Sequence, residues 1–490
     1  PALPALARFV RTRSQPYLLV LDDVHLLGSQ PAQQVLATVC DATPDGSTTA
    51  LLTRGLTPAW LAQLRTTGRL TEITQAELAF DLEEVTQLFR GLDVAAAPSV
   101  VADVLDHTEG WAVGVYLSAL GMRSGNSDHP RITKGSDRAV ADYLRTQVLS
   151  TLSDIQRDFL VRSSILDELH GPLCDAVLER TDSAGILADL HREVQLVIRV
   201  HAEQPSYRCH HLLAEELAAE LHTARAPDVR GLHRRACLWF DENADPEAAI
   251  RHAVASGDTD LMARVIWPAV PRCVASGDLD RLRGWLAGIS ERQIAGDRSL
   301  TMAAAWASLQ QGDAAALRRW AGLAQGHAGP DWREAASHDP YSATFAVLEG
   351  LVGGGGLDDT RDLCGRALGG LPPTDSFRAA AAFNKGIAAA LRGDSAAGLA
   401  SLHEAEELAR ALDVPVIEAN AKSWMGLAAL NAGDRQRGIR LVSQAADLTR
   451  RHQLDRLATA ALSMTAQALM LAMVGDKSAA FAALATARRL

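Results

Sequence analysis

Aromatic side chains are scarce in this chain of 490 residues, where Phe, Trp and Tyr together make up 5%. Alanine is abundant instead, and this composition favours closely packed helices over sheets. One hydrophobic core cannot serve a chain of this length, because single cores stop growing near about 250 residues. We therefore predict a mainly α protein with three or four domains.

An excess of basic residues is also missing. The 48 Lys and Arg residues are outnumbered by 59 Asp and Glu residues, and the formal net charge is -11. This is the wrong sign for a surface whose main task is to hold nucleic acid, because DNA affinity depends on neutralising phosphates. We expect any DNA contact to lie outside this chain.

No CxxC pair occurs among the six cysteines, and no signal peptide is visible at the start. Reduced thiols and a cytoplasmic location are therefore the expectation. A first residue other than methionine, Pro1, indicates a fragment. The most apolar long stretch, residues 457–474, is rich in alanine and interrupted by polar residues, which favours a packed helix over a membrane span.

Two adjacent carboxylates, Asp22 and Asp23, follow the apolar run "YLLVL" at residues 17–21. Such a run is typical of a strand covered on both faces in a parallel sheet, and open α/β sheets bind ligands at the carboxyl ends of their strands. There one carboxylate can hold Mg2+ and the next can activate the water that attacks a γ-phosphate. This Walker B pattern predicts Asp22 as metal ligand and both aspartates as the catalytic pair. A cap for the following helix is the other interpretation.

A second apolar run, "TTALLTRG" at residues 48–55, predicts another strand, which ends at Thr53 and Arg54. The order of an acidic strand end, a helix and a strand with a polar end is that of the later half of a P-loop NTPase core. The phosphate-binding sequence GxxxxGK[ST] is absent, because no lysine precedes Lys134. We expect this chain to be inactive as an ATPase. Either it is the downstream part of a longer protein, which we favour, or its nucleotide site has degenerated.

The segment "HTEGWAVGVYLSAL" at residues 107–120 resembles the TGGWPxGLxLAAL signature of the MalT-like signal-transduction ATPases, the large LuxR-type regulators of the STAND class. The resemblance implies that Gly110, Trp111 and Ala112 lie at the turn that contacts adenine. Ala112 stands where the family usually has proline. By the same resemblance Asp22 is the Mg2+ ligand, Asp23 the acid that acts on water, and Arg54 the sensor of the bound phosphate.

Three later segments resemble the same family in the same order, at residues 143–178, 207–221 and 232–258. They are similar to its winged-helix segment, its YRYHxLFxxxLxxxL element and its helical arm. The resemblance implies ATP or ADP and Mg2+ as cofactors of the full-length protein, with the phosphate loop upstream of this chain and a helix-turn-helix DNA reader downstream of it. The resemblance also allows the regulator to self-associate when it is activated.

A turn of the form xGD recurs beyond residue 255, at Asp258, Asp278, Asp313, Asp394, Asp434 and Asp476. Glycine is suited to end one helix and aspartate to cap the next, so each unit predicts a pair of helices. Stacked pairs predict a TPR-like superhelix. The resulting divisions are residues 1–122 (C-terminal part of a STAND NTPase domain), 123–137 (linker), 138–225 (winged-helix module), 226–265 (helical arm) and 266–490 (helical-repeat sensor domain).

Two groups of side chains in these later regions are candidate binding sites. Aromatic faces flanked by arginine suit stacking on a sugar, although repeat helices also use such rings to fill gaps. The candidate ligand residues are Trp285, Trp306, Trp320, Trp332, Tyr341 and Phe345. A zinc site could be assembled from Cys209, His210 and His211 with His233 and Cys237, but no second CxxC or HxxxH fixes its geometry.

These features predict the signal-sensing region of an ATP-dependent transcriptional regulator, in which a small-molecule inducer of the sugar class binds the superhelix and controls a nucleotide-driven switch. We expect DNA contact only through a domain outside this chain and no membrane contact. The alternative is a helical-repeat interaction scaffold whose NTPase remnant only packs. A free-standing ATPase is a third interpretation, and it would turn over without an inducer.

Overall fold

The computed structural model describes residues 2–13, 15–24, 27, 29–53, 61–124, 134–194, 196–201, 205–223, 229–310, 313–352 and 354–489. The chain forms two compact units, Pro1–Trp239 and Phe240–Leu490. Helices make up most of both units, which confirms the mainly α prediction. In the described residues, no helix has the length and apolar character needed to cross a membrane.

The first unit contains thirteen described helices and two small sheets. Its helices are α1 (Ala2–Arg11), α2 (Gln30–Ala42), α3 (Ala62–Thr66), α4 (Gln75–Leu78), α5 (Leu82–Gly91), α6 (Pro98–Thr108), α7 (Ala112–Ser124), α8 (Lys134–Tyr143), α9 (Asp154–Ser163), α10 (Gly171–Leu178), α11 (Ser183–Glu193), α12 (His211–Thr223) and α13 (Val229–Glu242), of which α13 runs across the unit boundary. A π-helical turn (Leu144–Val148) and a 3-10 turn (Leu149–Thr151) follow α8. The strands are β1 (Leu18–Leu21), β2 (Thr48–Leu51), β3 (Val197–His201) and β4 (Ser206–Cys209).

Strands β1 and β2 pair in parallel, with Leu18 opposite Thr48 and Leu21 opposite Leu51. This confirms that both apolar runs form strands. One face of β1 is open in the described part of the chain, because Leu18 is 67% exposed and Val20 53%. The prediction of a strand covered on both faces was therefore wrong, since only the face carrying Leu21 packs on α2 and its neighbours.

Helices α5, α6 and α7 form a separate small core after the sheet. Val85 and Phe89 of α5 pack with Val104 of α6 and Val115 of α7, and all four are buried. Helix α5 begins with a reciprocal cap, in which the Asp81 carboxylate accepts from the backbone N–H of Glu84 and the Glu84 carboxylate from that of Asp81. This core holds the ends of α6 and α7 in place.

Helices α9, α10 and α11 are followed by the antiparallel hairpin β3–β4, which is the order of a winged helix. Leu169, just before α10, exchanges two backbone hydrogen bonds with Tyr207 of β4 and so attaches the hairpin to the helices. Phe159, Leu173 and Leu187, one from each helix, are fully buried. The predicted winged-helix module is thus confirmed.

The second unit is made of consecutive helices joined by short turns. Its helices are α14 (Pro246–Ser256), α15 (Thr259–Ile266), α16 (Val270–Ser276), α17 (Leu279–Ala287), α18 (Glu291–Gly296), α19 (Arg298–Gln310), α20 (Ala314–Ala328), α21 (Trp332–Ala335), α22 (Pro340–Val352), α23 (Gly356–Gly370), α24 (Phe377–Leu391), α25 (Ser395–Ala411), α26 (Pro415–Asn431), α27 (Arg435–Arg451), α28 (Ala461–Met473) and α29 (Lys477–Arg489). Three 3-10 turns (Trp267–Ala269, Leu454–Arg456 and Ala458–Ala460) interrupt the series.

The recurring xGD turns lie between helices as predicted. At Gly257, Gly393 and Gly433 the backbone has a positive φ, which glycine adopts without strain. The aspartate that follows each glycine accepts a hydrogen bond from the backbone N–H three residues later, at 3.0–3.1 Å, and so caps the next helix. Local chemistry of this kind fixes where each helix pair turns.

Two pairs of glycines allow neighbouring helices to approach closely. Gly386 of α24 faces Gly398 of α25, and forty residues later Gly426 of α26 faces Gly438 of α27. A Cβ atom added at Gly426 would lie 2.7 Å from Val442 Cγ2 and 3.2 Å from the carbonyl oxygen of Gly438. The same close crossing therefore occurs twice, forty residues apart.

Candidate functional site

The aspartate pair lies at the end of β1, where the sequence predicts it. Asp22 is exposed and its Oδ1 accepts from the backbone N–H of Asp23 at 2.8 Å, while Asp23 is half-buried with φ of 52°. The capping interpretation is wrong for α2, because Ser29 provides that cap by accepting from the N–H of Ala32. The roles of the pair in Mg2+ binding and catalysis stay predictions, and Arg54 lies outside the described residues.

The signature segment at residues 107–120 forms a tight turn between α6 and α7. Glu109 and Gly110 both have positive φ, of 49° and 71°. The carbonyl oxygen of Gly110 accepts from the backbone N–H of Phe80 at 2.8 Å. A Cβ atom at Gly110 would lie 2.5 Å from the carbonyl oxygen of Phe80, so glycine is required here by both its dihedral angle and the close approach.

Trp111 and Ala112 follow this turn and are half-buried. The indole of Trp111 lies edge-on to the rings of Tyr143 and His210, with centroid distances of 5.7 and 5.9 Å. Within the first turn of α7, a Cβ atom at Gly114 would lie 3.1 Å from Leu212 Cδ1 of α12. The signature segment therefore packs directly on the segment that contains β4 and α12.

An ion pair joins these two segments. Both oxygens of Glu109 accept from the Arg208 guanidinium, at 2.8 and 2.5 Å, and Glu109 Oε1 also accepts from the backbone N–H of His211 at 3.2 Å. The hydrogen bond from Arg208 lowers the pKa of Glu109 to about 2, against the opposing effect of partial burial. Because the Arg208 guanidinium binds both carboxylate oxygens, the pair fixes the relative orientation of the two segments as well as their distance.

His210 lies behind the ion pair and is 1% exposed. Its Nδ1 accepts from the backbone N–H of Leu212 at 3.3 Å, so the proton of the neutral ring lies on Nε2, which donates to the carbonyl oxygen of Thr108 at 3.0 Å. Burial lowers the pKa of His210 and favours this neutral form. Protonation of the ring on acidification would remove the Nδ1 acceptor.

Replacing Glu109 with glutamine tests the ion pair. We expect Glu109→Gln to lower the free energy of unfolding of the first unit by about 1–2 kcal/mol at pH 7, because a charged, partly buried hydrogen bond is lost. The pKa of Glu109 is depressed, so its contribution is full above its ordinary pKa of 4.5 and disappears as the pH falls toward 2. The difference between wild type and variant should therefore narrow below pH 4.5.

Urea unfolding at a series of pH values measures this difference. Glu72→Gln is the control, since Glu72 pairs with Arg65 at a comparable 2.5 Å on the exposed surface and should change little. Equal effects of the two substitutions would show that the Glu109 pair has no special structural role.

Both segments that meet at the Glu109–Arg208 ion pair lie in a chain that is similar to known proteins. Residues 145–230 match the family described as MalT winged helix domain. Curated relatives named HTH-type transcriptional regulator MalT align over most of the chain, at 27% identity across 306 residues in Vibrio parahaemolyticus and 25% across 409 residues in Klebsiella pneumoniae. The chain is thus similar to MalT regulators along these alignments. The predicted resemblance is thereby confirmed.

The alignments cover 61% and 82% of the MalT-like chain but only 34% and 45% of those two relatives. A third relative of the same name, from Vibrio cholerae, is 28% identical over 298 residues, or 33% of its length. The chain thus spans between a third and a half of the curated relatives it matches. Its winged-helix match overlaps the module predicted at residues 138–225.

The predicted sugar-stacking residues of the MalT-like chain lie mostly in its interior. Exposed fractions of Trp306, Trp320, Trp332, Tyr341 and Phe345 are between 0% and 7%. Trp306 stacks on Phe377 at 4.4 Å and Trp332 contacts Phe345 edge-on at 4.8 Å. Rings so enclosed offer no free face to a sugar, so contact there would require the helices to separate. Trp285 is half-buried and donates to Glu247 Oε2 at 3.1 Å.

The proposed zinc ligands are not brought together as the sequence suggested. Cys237 is buried and Cys209 is half-buried, and burial raises the pKa of the Cys209 thiol to about 12, which disfavours the thiolate that metals bind. In the described residues, three potential ligand atoms of His, Cys, Asp or Glu come within 4.8 Å of one another at His107, His211 and Glu215. Only His211 belongs to both sets.

Sequence reasoning also missed Glu109, Arg208 and His210 as a connected group. Glu109 lies in the segment at residues 107–120, and Arg208 and His210 lie in the segment at residues 207–221, both of which resemble the family. The acid in the first segment and the arginine and histidine in the second were the only sequence features that could have indicated the group. The sequence did not predict that these residues pair, because Glu109 and Arg208 are 99 residues apart in the chain.

Proposed function

We propose that the MalT-like chain is the signal-sensing region of an ATP-dependent transcriptional regulator. The observation that carries the proposal is the contact between the signature segment and the segment that contains β4 and α12. There Glu109 binds Arg208 through both oxygens and His210 donates to Thr108. Residues Gly110 and Trp111, which would lie beside the adenine, are part of the same turn. A change at the nucleotide can therefore reach the winged helix through directly bonded groups.

In this proposal ATP or ADP, with Mg2+ held by Asp22, sets the state of the switch, and Asp23 and Arg54 act at the phosphates. A small-molecule inducer, with sugars as the first class to screen, binds the helical unit and shifts the balance through its different affinity for the two states. DNA is contacted by a part of the regulator outside this chain, and active regulators self-associate in the cytoplasm. Hydrolysis resets the switch.

A charge exchange in the full-length regulator tests this coupling. Glu109→Arg and Arg208→Glu should each break the pair and alter both nucleotide preference and nucleotide-dependent transcription, whereas the double variant should restore them. The Arg157–Glu220 pair, at 2.9 Å inside the same winged-helix module, is the matched control, and breaking it should leave nucleotide preference unchanged. A double variant that stays as altered as the singles would overturn the coupling.

The interaction scaffold remains a second candidate, and the enclosed aromatic rings of the second unit favour it. A thermal-shift screen of this chain against sugars and peptides separates the two functions, because a ligand that binds only the native form raises the melting temperature. Stabilisation by a sugar supports the inducer hypothesis. Stabilisation by peptides alone, with no nucleotide effect on transcription by the full-length protein, supports the scaffold.

A further inference from the structure

Three potential metal ligands converge where α6 ends and α12 begins. His107 lies in the last turn of α6, and His211 and Glu215 are one turn apart on α12. The two oxygens of Glu215 each face one imidazole: Oε1 is 3.2 Å from His211 Nε2, and Oε2 is 3.4 Å from His107 Nε2. The two rings are perpendicular, with centroids 5.3 Å apart.

These separations suit a tetrahedral transition-metal site. Imidazole nitrogens and carboxylate oxygens bind Zn2+ at about 2.0–2.2 Å, so two ligand atoms on the same tetrahedral ion are about 3.3 Å apart. The two nitrogen–oxygen distances here, one to each oxygen of Glu215, are close to that value, and one ligand atom from each of the three residues lies within 4.8 Å of the others before any side chain moves. Two histidines and one glutamate also form a ligand set that binds zinc and leaves a fourth position open.

The surroundings of His107 provide an independent indication. Its Nε2 is buried but makes no hydrogen bond of acceptable geometry within the described structure. A buried polar atom of this kind is unfavourable unless a partner satisfies it, and this one points toward the glutamate and the second imidazole. A metal ion between the three side chains would satisfy it.

We propose that His107, His211 and Glu215 bind one divalent transition-metal ion. The ion links the last turn of α6 to the first turns of α12, beside the Glu109–Arg208 pair, and its fourth position is open to water or to a ligand. His211 is already placed by the hydrogen bond from its backbone N–H to Glu109. The site is distinct from the predicted Mg2+ site at Asp22 and does not depend on the proposed regulator function.

Calorimetric titration of the chain with ZnCl2 tests the site, with Co2+ as a spectroscopic probe of the ligand set. We expect one ion per chain and a higher melting temperature with zinc than with a chelator. His211→Gln and Glu215→Gln should each weaken binding by at least about tenfold, since even the loss of an outer partner of a metal ligand costs 10–100-fold. Both side chains are about half exposed, so these variants should fold normally.

His201→Gln is the matched control, because His201 lies 4.0 Å from Glu168 in another exposed pair that has no third ligand within the described residues. It should bind zinc as the wild type does. The proposal is overturned if the wild type takes up no zinc at a molar excess of the ion. Equal affinity of all the variants would also overturn it, because the zinc would then be held elsewhere, as by the cysteines.

Discussion

Substitution of Gly110 by alanine should lower the free energy of unfolding of the first unit by about 3 kcal/mol or more. A left-handed backbone costs a non-glycine residue about 1–2 kcal/mol, and forcing atoms into a filled space costs about 1–3 kcal/mol more. Both terms apply, because φ is 71° and the new Cβ atom would lie 2.5 Å from the Phe80 carbonyl oxygen. That oxygen belongs to backbone, which cannot rotate away as a side chain can.

Gly68→Ala separates the two terms. Gly68 has a similar φ of 68°, but apart from Gly68 itself and its two chain neighbours no atom of the described chain lies within 4 Å of the position that its Cβ would take, so only the backbone cost should appear. Urea unfolding gives the two free energies, and hydrogen exchange of α6 and α7 shows whether the loss at Gly110 is local. Equal losses in the two variants would mean that the turn can move away from Phe80.

Replacing Lys422 with methionine should lower the free energy of unfolding of the second unit by about 3 kcal/mol, since removing one partner of a buried ion pair leaves the other unpaired. Lys422 is 8% exposed, and its Nζ lies 2.6 Å from Glu406 and 3.7 Å from Glu418. Burial is the largest single effect on Glu406 and raises its pKa, but the hydrogen bonds and charges of Lys422 and Arg410 together outweigh burial, so the pKa lies below its ordinary value. Arg410 also contacts both glutamates and limits the loss.

The effect should depend on pH in a defined direction. With its pKa depressed, Glu406 stabilises the native unit above about its ordinary value of 4.5, and this stability is lost as the pH falls through its folded pKa. The gap between wild type and Lys422→Met should thus be widest near neutrality and close below pH 4.5. Adding Glu406→Gln to Lys422→Met should recover part of the loss at pH 7.

Lys385→Met is the control in thermal and urea unfolding. Lys385 lies 3.9 Å from Glu404 in a more exposed pair, so its removal should cost about 0.5 kcal/mol or less. A Lys422→Met variant as stable as this control, or equally destabilised at all pH values, would contradict the assigned role of the buried charge.

The sequence predicted those features that local chemistry determines. The apolar run before Asp22 became β1, and the recurring glycine and aspartate residues became helix ends and caps, because a dihedral preference and a short hydrogen bond act within a few residues. The winged helix followed from family resemblance. The open face of β1 was missed, since an apolar run alone does not show how many layers cover it.

The site itself was predictable only in part. Gly110 and Trp111 were predicted as site residues and do lie at a constrained turn. The groups that this turn contacts, Arg208 through Glu109 and His210 through Trp111, come from a distant segment that no local pattern connects to it. The tryptophans are predicted ligand residues that instead lie in the interior. Helix α19 is buried on nearly every side, so its sequence lacks the polar stripe that would have marked Trp306 as an interior residue.

The two facing glycine pairs set a spacing of forty residues between two close helix crossings of the second unit. Gly386 and Gly398 form one close helix contact, and Gly426 and Gly438 form an equivalent contact forty residues later. Insertion or deletion of a whole forty-residue block here would keep a glycine on both sides of these crossings, whereas a change of another length would place a larger side chain against the facing backbone. A helical unit of this kind can therefore change its length in steps of forty residues while these two crossings keep their geometry.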